Sequence, residues 1–516
     1  MQENEFTFDT KVTKYETFSK DQLIKRIEVM DQELYRLVKE NYSLRGQEPQ
    51  PYQLSFVIED QIASLQEQLY GSKSERYIKD KKEDSAKDPK PPKPRVQKPS
   101  DRYPNVPVKT NKVTIDPLPQ CHVCGDTMKD SGLVESSQQI TVIPKKFEIL
   151  ETQRVIYNCK CQGCLLTPPP VLKIKESSIY SDEMIIDVVL SKYCDLIPIQ
   201  RYAAMAGRNG MIDLPPHSLI ELTHYFAEFV DRVYLKLKNE ALKSRVLHAD
   251  ETTHRMLEGS NTKSWFLWGF STSKVCFFEC HGTRSGDVAS EILENSLCEI
   301  LVTDVYSGYN KATRIANVIR FKHKMPLIEN AYCNAHSRRY FFKFWKLHQS
   351  SEDAKFYLDQ YQEIYKLNDQ TIGKSPPEIL LLREQMKPYF EAMKNKVTKD
   401  INKYPSSHQL SKAMRYFIDH YHNLTLFLND AEVPIDNNSQ ERLLRNPVIG
   451  RKTWYGTHSK LGGKTAATLF SIVETCKLNG VNCREYFPAL VKDLHEGNEP
   501  LSPYEYKLST ISAVDN

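Results

Sequence analysis

No stretch of this sequence approaches the roughly 18 consecutive apolar residues that a membrane helix needs, so nothing in it reads as a membrane span. The opening residues, MQENEFTFDTKVTK, lack a basic segment followed by an apolar one, which sets aside a secretory signal. Neither sign of charge dominates, with 70 Lys and Arg against 66 Asp and Glu. The formal net charge is +4 over 516 residues, too little to argue for a polyanionic partner from the bulk. Any such argument has to rest on where the basic residues sit. A phosphate-binding loop is missing too: LGGKT resembles a fragment of one, but the GxxxxGK[ST] spacing fails and no apolar strand leads into it. ATPase chemistry is therefore set aside.

What remains is a chain with 40% hydrophobic and 26% charged residues, ordinary for a multi-domain protein of roughly two to four domains. Three acidic positions stand out. Asp250 in RVLHADETTH and Asp304 in EILVTDVYSGY each close a short β-rich run, and Glu441 in PIDNNSQERLLRNPVIG lies one turn inside a helix capped by Asp436. A carboxylate at the exit of a central strand is held rigidly while the next residues open to solvent. Carboxylates brought together raise one another's pKa, a cost that a hard divalent cation offsets, and oxygen ligands suit Mg2+ or Mn2+. Two such ions would activate water or a DNA 3′-hydroxyl for in-line phosphodiester attack. Asp250 is the expected bridging ligand, with Glu251 as its understudy and Asp436 as that of Glu441.

After Glu441, the arginines Arg442 and Arg445 share a helical face. Arg451, Lys452 and Trp454 follow, a combination that clamps phosphates and offers a ring to an unpaired base. AYCNAHSRRYF places Cys333 and His336 on one helical face, open to a metal or a packing role, with Arg338 and Arg339 as candidate DNA contacts.

Five of the twelve cysteines fall between positions 121 and 164. Cys121 and Cys124 form one CxxC knuckle; Cys161 and Cys164 form the regular second pair, with Cys159 and Cys164 as the alternative. Four soft ligands on two turns read as a structural Zn2+ site, and thiols kept reduced fit a cytoplasmic setting. Upstream, Leu23, Ile27, Met30, Leu34, Leu37, Asn41 and Leu44 trace a heptad seam, and Ile58, Ile62, Leu65 and Leu69 a second one. Together they predict a coiled-coil region over 18–70 that joins copies of the chain or folds back as a hairpin. Between 71 and 112, thirteen basic side chains face six acidic ones in a proline-rich tract, an extended linker that tracks a DNA backbone or merely spaces the domains.

The change of period from RVLHAD through SWFLWGFS, KVCFFECHG, GDVASEILENSL and EILVTDVYSGY predicts strand, strand, strand, helix, strand: a mixed sheet covered by helices. The expected layout is a linker over 71–120, a zinc module over 121–167 and a helical domain over 175–243 that binds DNA or only packs. A catalytic core follows over 244–345, then a helical insertion over 346–430, the rest of the core over 431–494 and a tail over 495–516.

LYGSKSERY, CHVCG with YNCKCQGC, SKYCDLIPIQR, HADET, TDVYSGY, CNAHSRRYF, DNNSQERLLRNPVIGRKTW and SIVETCKLNG together resemble the IS66-family transposases of bacterial insertion sequences, in particular their large subunit. The resemblance implies a multi-domain α/β protein: a leucine-zipper-like helix, a zinc-binding segment and an RNase H-like DDE core with a helical insertion. It assigns the catalytic triad to Asp250, Asp304 and Glu441. It further implies DNA at element ends and at a target as substrates, a homo-oligomer, accessory transposition proteins and a nucleoid-associated life. Val305 stands where glycine is usual and Asn334 where tryptophan is common. The readings of other classes are a non-catalytic zinc-containing DNA-binding regulator, which would bind without nicking, and an RNase H-like nuclease indifferent to element ends.

Overall fold

The computed structural model describes Arg36 and residues 98–514, apart from 105, 112–115, 117, 121, 129–135, 144, 159–164 and 258–263. The expected heptad region (Arg36 aside) and most of the basic linker lie outside the described residues, as do Cys121, Cys159, Cys161 and Cys164. The chain divides into two compact units, one of them Lys73–Glu151 and the other containing Thr152–Asn516. In the first, the described residues of Lys73–Glu151 carry a single helical turn, Pro99–Arg102, and an isolated bridge between Gln120 and Thr127 beside the exposed Cys124. The β-rich character expected of QQITVIPKKFEILETQRVIYNC yields one short antiparallel pair, Tyr157–Asn158 with Leu165–Leu166, in the second unit. Those β-branched residues are largely exposed, so their propensity has no sheet surface to pack against.

The second unit is built on a five-stranded mixed sheet. Four helices precede it: α1 (Asp182–Tyr193), α2 (Ile199–Arg208), α3 (Pro216–Phe229) and α4 (Asp231–Leu242). The strands are β1 (Val246–Arg255), β2 (Ser264–Ser271), β3 (Cys276–His281), β4 (Ile300–Thr303) and β5 (Glu329–Tyr332). Helix α5 (Gly286–Glu294) joins β3 to β4, and α6 (Ser307–Lys322) joins β4 to β5. The order is β3-β2-β1-β4-β5, with β1, β4 and β5 parallel and β2 antiparallel to its neighbours. The strand–strand–strand–helix–strand reading of the sequence is thus the observed order, and the longest strand, β1, lies at the centre.

After β5 come α7 (Asn334–Leu347), α8 (Glu352–Asp369), α9 (Pro376–Asp400), α10 (Gln409–Asp419) and the short α11 (Tyr421–Thr425). Their aromatic faces make a core of their own, in which Phe341 stacks on Tyr357 at 4.3 Å between centroids; Val302 and Ala331 of the sheet belong to the same cluster. The chain then returns to the sheet with α12 (Asn438–Trp454), α13 (Lys460–Asn479), α14 (Cys483–His495) and α15 (Pro503–Val514).

Helix α13 is buried along most of its length, which suits its run of small and apolar residues. It also closes the β3 edge. Ser471 Oγ accepts from the Phe278 amide at 2.8 Å, and Thr475 Oγ1 accepts from the Cys276 amide and donates to its carbonyl, each at 3.1 Å. At the other edge, Asn423 donates to the Asn330 carbonyl of β5 at 2.8 Å. Helices α1–α4 lean on the α13 side, with Tyr193 edge-on to Phe470 at 5.2 Å and Phe226 edge-on to Phe487 at 5.4 Å. No helix among the described residues is long and apolar enough to cross a membrane.

Candidate active site

The sheet fixes two of the three acids by register. Strands β1 and β4 run parallel with His248 opposite Val302, so continuing the same register sets Asp250 against Asp304. Pairing between the strands stops before that point, because β4 ends at Thr303. Asp304 therefore leaves the sheet at a strand exit, as read from the sequence. Asp250 does not. Strand β1 runs five residues further, to Arg255, still paired with β2, so Asp250 sits mid-strand on the stretch that has lost its parallel neighbour. The polar DETTHR run carried no apolar alternation to announce this extension.

The third acid arrives on α12, which packs on β1. Asn437, buried at the helix start, makes the junction: its Oδ1 meets His248 Nδ1 at 2.7 Å and its Nδ2 donates to the Ala249 carbonyl at 2.9 Å. Its own amide donates to Cys333 Sγ at 3.2 Å, which ties the start of α7 into the same knot. Gly269, opposite Asp250 in the β1–β2 register, lets the helix come close. A Cβ there would lie 2.3 Å from Gln440 Nε2 and 2.8 Å from the Phe278 ring. A glycine inside SWFLWGFS was the available signal for such an approach.

Period-2 alternation puts Asp250 on the face of His248, toward α12, and Glu251 on the other. Their surroundings differ accordingly. Glu251 has a side chain only 3% exposed; it accepts from Arg284 Nε at 2.7 Å and from the Tyr309 hydroxyl at 2.5 Å. It is fully engaged and does not stand in for Asp250. The Arg284 guanidinium also lies 4.0 Å over the Tyr306 ring. Tyr309 is fully buried against Trp268.

Asp250 accepts only the Glu251 amide, at 2.8 Å. Burial, and then the carboxylates of Glu251, Asp304 and Glu441, push its carboxyl well above the ordinary range. Asp304 accepts from the Tyr306 amide at 3.0 Å and remains half-buried.

Glu441 is half-buried in the first turn of α12, and its Oε1 is a buried atom without a hydrogen-bond partner. Arg339 Nη2 lies 3.9 Å from Oε2 and His336 Nδ1 lies 3.8 Å from Oε1, both beyond hydrogen-bonding reach. Among the described residues, Cys333, His336 and Glu441 form the one His/Cys/Asp/Glu group whose potential ligand atoms all lie within 4.8 Å of one another. Burial pushes the Cys333 thiol up to about 12. Asp436 accepts from the Asn438 amide and side chain and from the Tyr365 hydroxyl, so it caps the helix start and is no substitute for Glu441. The cap residue proper is Asn437.

The basic positions are spread along this side. Arg442 and Arg445 are exposed on α12, Arg338 and Arg339 are half-buried on α7, and Lys452 is exposed. Arg451 is engaged with Thr253 of β1. Trp454 is not a free platform. It rests over Gly450, where a Cβ would meet its ring at 2.6 Å, and packs against Tyr193 and Phe470. The i,i+4 spacing of a glycine and a tryptophan on one helix face explains the inward turn. Tyr455, at φ 65° beyond the helix end, is the 69% exposed ring. It borders a cavity of about 430 Å³ lined by Thr253, His254, Arg255, Ser264 and Arg451.

Comparison with known proteins meets this geometry from outside. A family model described as "Transposase IS66 family" matches residues 177–465, a span that contains all three acids. The chain is 23% identical over 435 residues to "Uncharacterized protein y4hP" of Sinorhizobium fredii (strain NBRC 101917 / NGR234), covering 79% of this chain and 77% of that one. It is 25% identical over 397 residues to "Uncharacterized protein y4qI" of the same strain, covering 73% and 72%.

Proposed function

This chain belongs to the IS66 transposase family, and from that premise we propose that it is a DDE-type DNA transposase with an RNase H-like core. It would cut phosphodiester bonds at insertion-sequence ends and join the freed strand to target DNA. The observation that carries the reading is the crowding of Asp250 by carboxylates from separated segments, with no cation answering its charge. Strand order 3-2-1-4-5, with the acids on the first strand, after the fourth and on a later helix, supports the same reading.

The donor set fits a hard divalent cation. The candidate ligands Asp250, Asp304 and Glu441 offer oxygens only, the donor class that Mg2+ and Mn2+ prefer. Mg2+ or Mn2+ held there would polarise the scissile phosphate and make water or a 3′-hydroxyl a better nucleophile. The protein's own part is rigid placement. Strand β1 holds Asp250 through its β2 ladder, the Tyr306 amide fixes Asp304, and Asn437 locks the helix that brings Glu441.

Arg442 and Arg445, one helical turn apart, present guanidinium groups to successive phosphates, aided by Arg338, Arg339 and Lys452. Arg451 braces the end of β1, and Tyr455 takes over from Trp454 as the ring for an unpaired base. A Zn2+ at Cys121, Cys124, Cys164 and either Cys161 or Cys159 would staple the N-terminal module. Heptad pairing would join copies of the chain, with accessory proteins completing the complex on DNA in the bacterial cytoplasm.

The test is Asp250→Asn with a labelled element-end duplex. Cleavage and strand transfer are expected to fall by at least about 1,000-fold, about 4 kcal/mol at the transition state, while end binding stays near the parent level. A folded variant that still cleaves as the parent does would overturn the reading. A parent protein that binds ends but never nicks them with Mg2+ or Mn2+ would point to a regulator instead.

A further inference from the structure

We propose that Cys333, His336 and Glu441 form a transition-metal site of the Zn2+ class that ties the start of α7 to the first turn of α12. The three potential ligand atoms lie within 4.8 Å of one another, a spacing that one small ion can span. His336 Nδ1 and Glu441 Oε1 are buried atoms without hydrogen-bond partners, 3.8 Å apart and facing each other. Leaving a pair of buried polar atoms unsatisfied costs stability, and a cation between them removes that cost.

The ligand chemistry separates this site from the carboxylate centre. Sulfur and imidazole favour zinc and its neighbours over Mg2+, whereas Asp250 and Asp304 offer oxygen alone. Asn437 aims its amide at Cys333 Sγ from 3.2 Å, the kind of outer-shell donor that stabilises a metal-bound thiolate. Binding would replace the Cys333 S–H bond by an S–metal bond and release that proton to water. Three protein ligands leave a fourth position for water or a phosphate oxygen. Cys333 and His336 are three residues apart at the start of one helix, so a single helical turn supplies both soft ligands.

The consequence rests on the proposed function: an ion here would fix Glu441, the third acid, relative to the sheet that holds the other two. The site itself does not depend on that reading, because its readout is metal binding and not DNA cleavage.

Full-length protein carrying Cys121→Ser and Cys124→Ser, stripped by chelator, would be titrated with Co2+ and then Zn2+. These two substitutions break the N-terminal cysteine knuckle, and with Cys159, Cys161 and Cys164 also changed to Ser the thiolate-to-cobalt absorption reports on Cys333. Adding Cys333→Ser is expected to abolish that band and remove about one ion per chain. His336→Gln is expected to weaken zinc binding by more than about 100-fold, beyond what outer-shell changes cause. His336 is half-buried and caps nothing, so its variant decides the matter if Cys333→Ser fails to fold. Unchanged stoichiometry and absorption in the folded variants would overturn the proposal. A parent that binds the ion yet cleaves no DNA keeps the site and sinks the transposase reading alone.

Discussion

The two faces of β1 treat adjacent carboxylates in opposite ways. On one face Glu251 is paired with Arg284 and hydrogen-bonded by Tyr309, and its charge is answered within the fold. On the other, Asp250 has a single backbone donor and neighbours of its own sign. One residue along a strand thus separates an acid held by a guanidinium and a hydroxyl from one crowded by carboxylates, although burial raises both. Half-buried like charges crowded on Asp250 without a cationic partner mark a place where folding has given way to another requirement. The pairing of Glu251 shows that the same strand can satisfy an acid where that is the need.

That contrast can be attacked directly. In the largest effect, Asp250→Asn should lose cleavage as stated and yet unfold at the same or a higher temperature, because repulsion falls. A lower midpoint than the parent, read by calorimetry, would break the comparison. Glu251→Gln should do the reverse, costing about 2 kcal/mol in urea unfolding as the charge-assisted pair with Arg284 weakens. Its loss of cleavage should remain far smaller than that of Asp250→Asn.

Gly269→Ala probes the contact that brings α12 to the Asp250 face. A methyl group would meet Gln440 Nε2 and the Phe278 ring, and the cost should be about 1–3 kcal/mol. Cleavage should drop roughly tenfold through displacement of Glu441, equivalent to about 1.4 kcal/mol. Smallest is Thr475→Val at the distant β3 edge: about 1 kcal/mol of stability, with cleavage per folded molecule unchanged.

Much of this was legible in the sequence because it was periodic. RVLHAD, SWFLWGFS, KVCFFECHG and EILVTDVYSGY gave the strands in order, and the run after Asp436 gave α12. What stayed hidden depended on which element covers which face. Alternation says that Asp250 and Glu251 diverge, but not that Arg284 waits for one and α12 for the other. Asn437 looked like one polar residue among several at a helix start, whereas its side chain is spent on β1 and leaves the helix end uncapped by it. Trp454 read as a base-stacking ring until Gly450, four residues earlier, proved to be the space it fills. Asn334, unusual against the resembled family, bonds the carbonyls of Leu424 and Ile435 and so fastens α7 to the chain that leads into α12.

The hydroxyls of α13 at one margin and Asn423 at the other have a consequence for assembly. They occupy main-chain groups that a neighbouring molecule would need in order to add a strand. If copies gather on DNA ends as proposed, they would then meet elsewhere than at the margin that α13 covers. The sheet that carries the acids would then keep the same width in every copy.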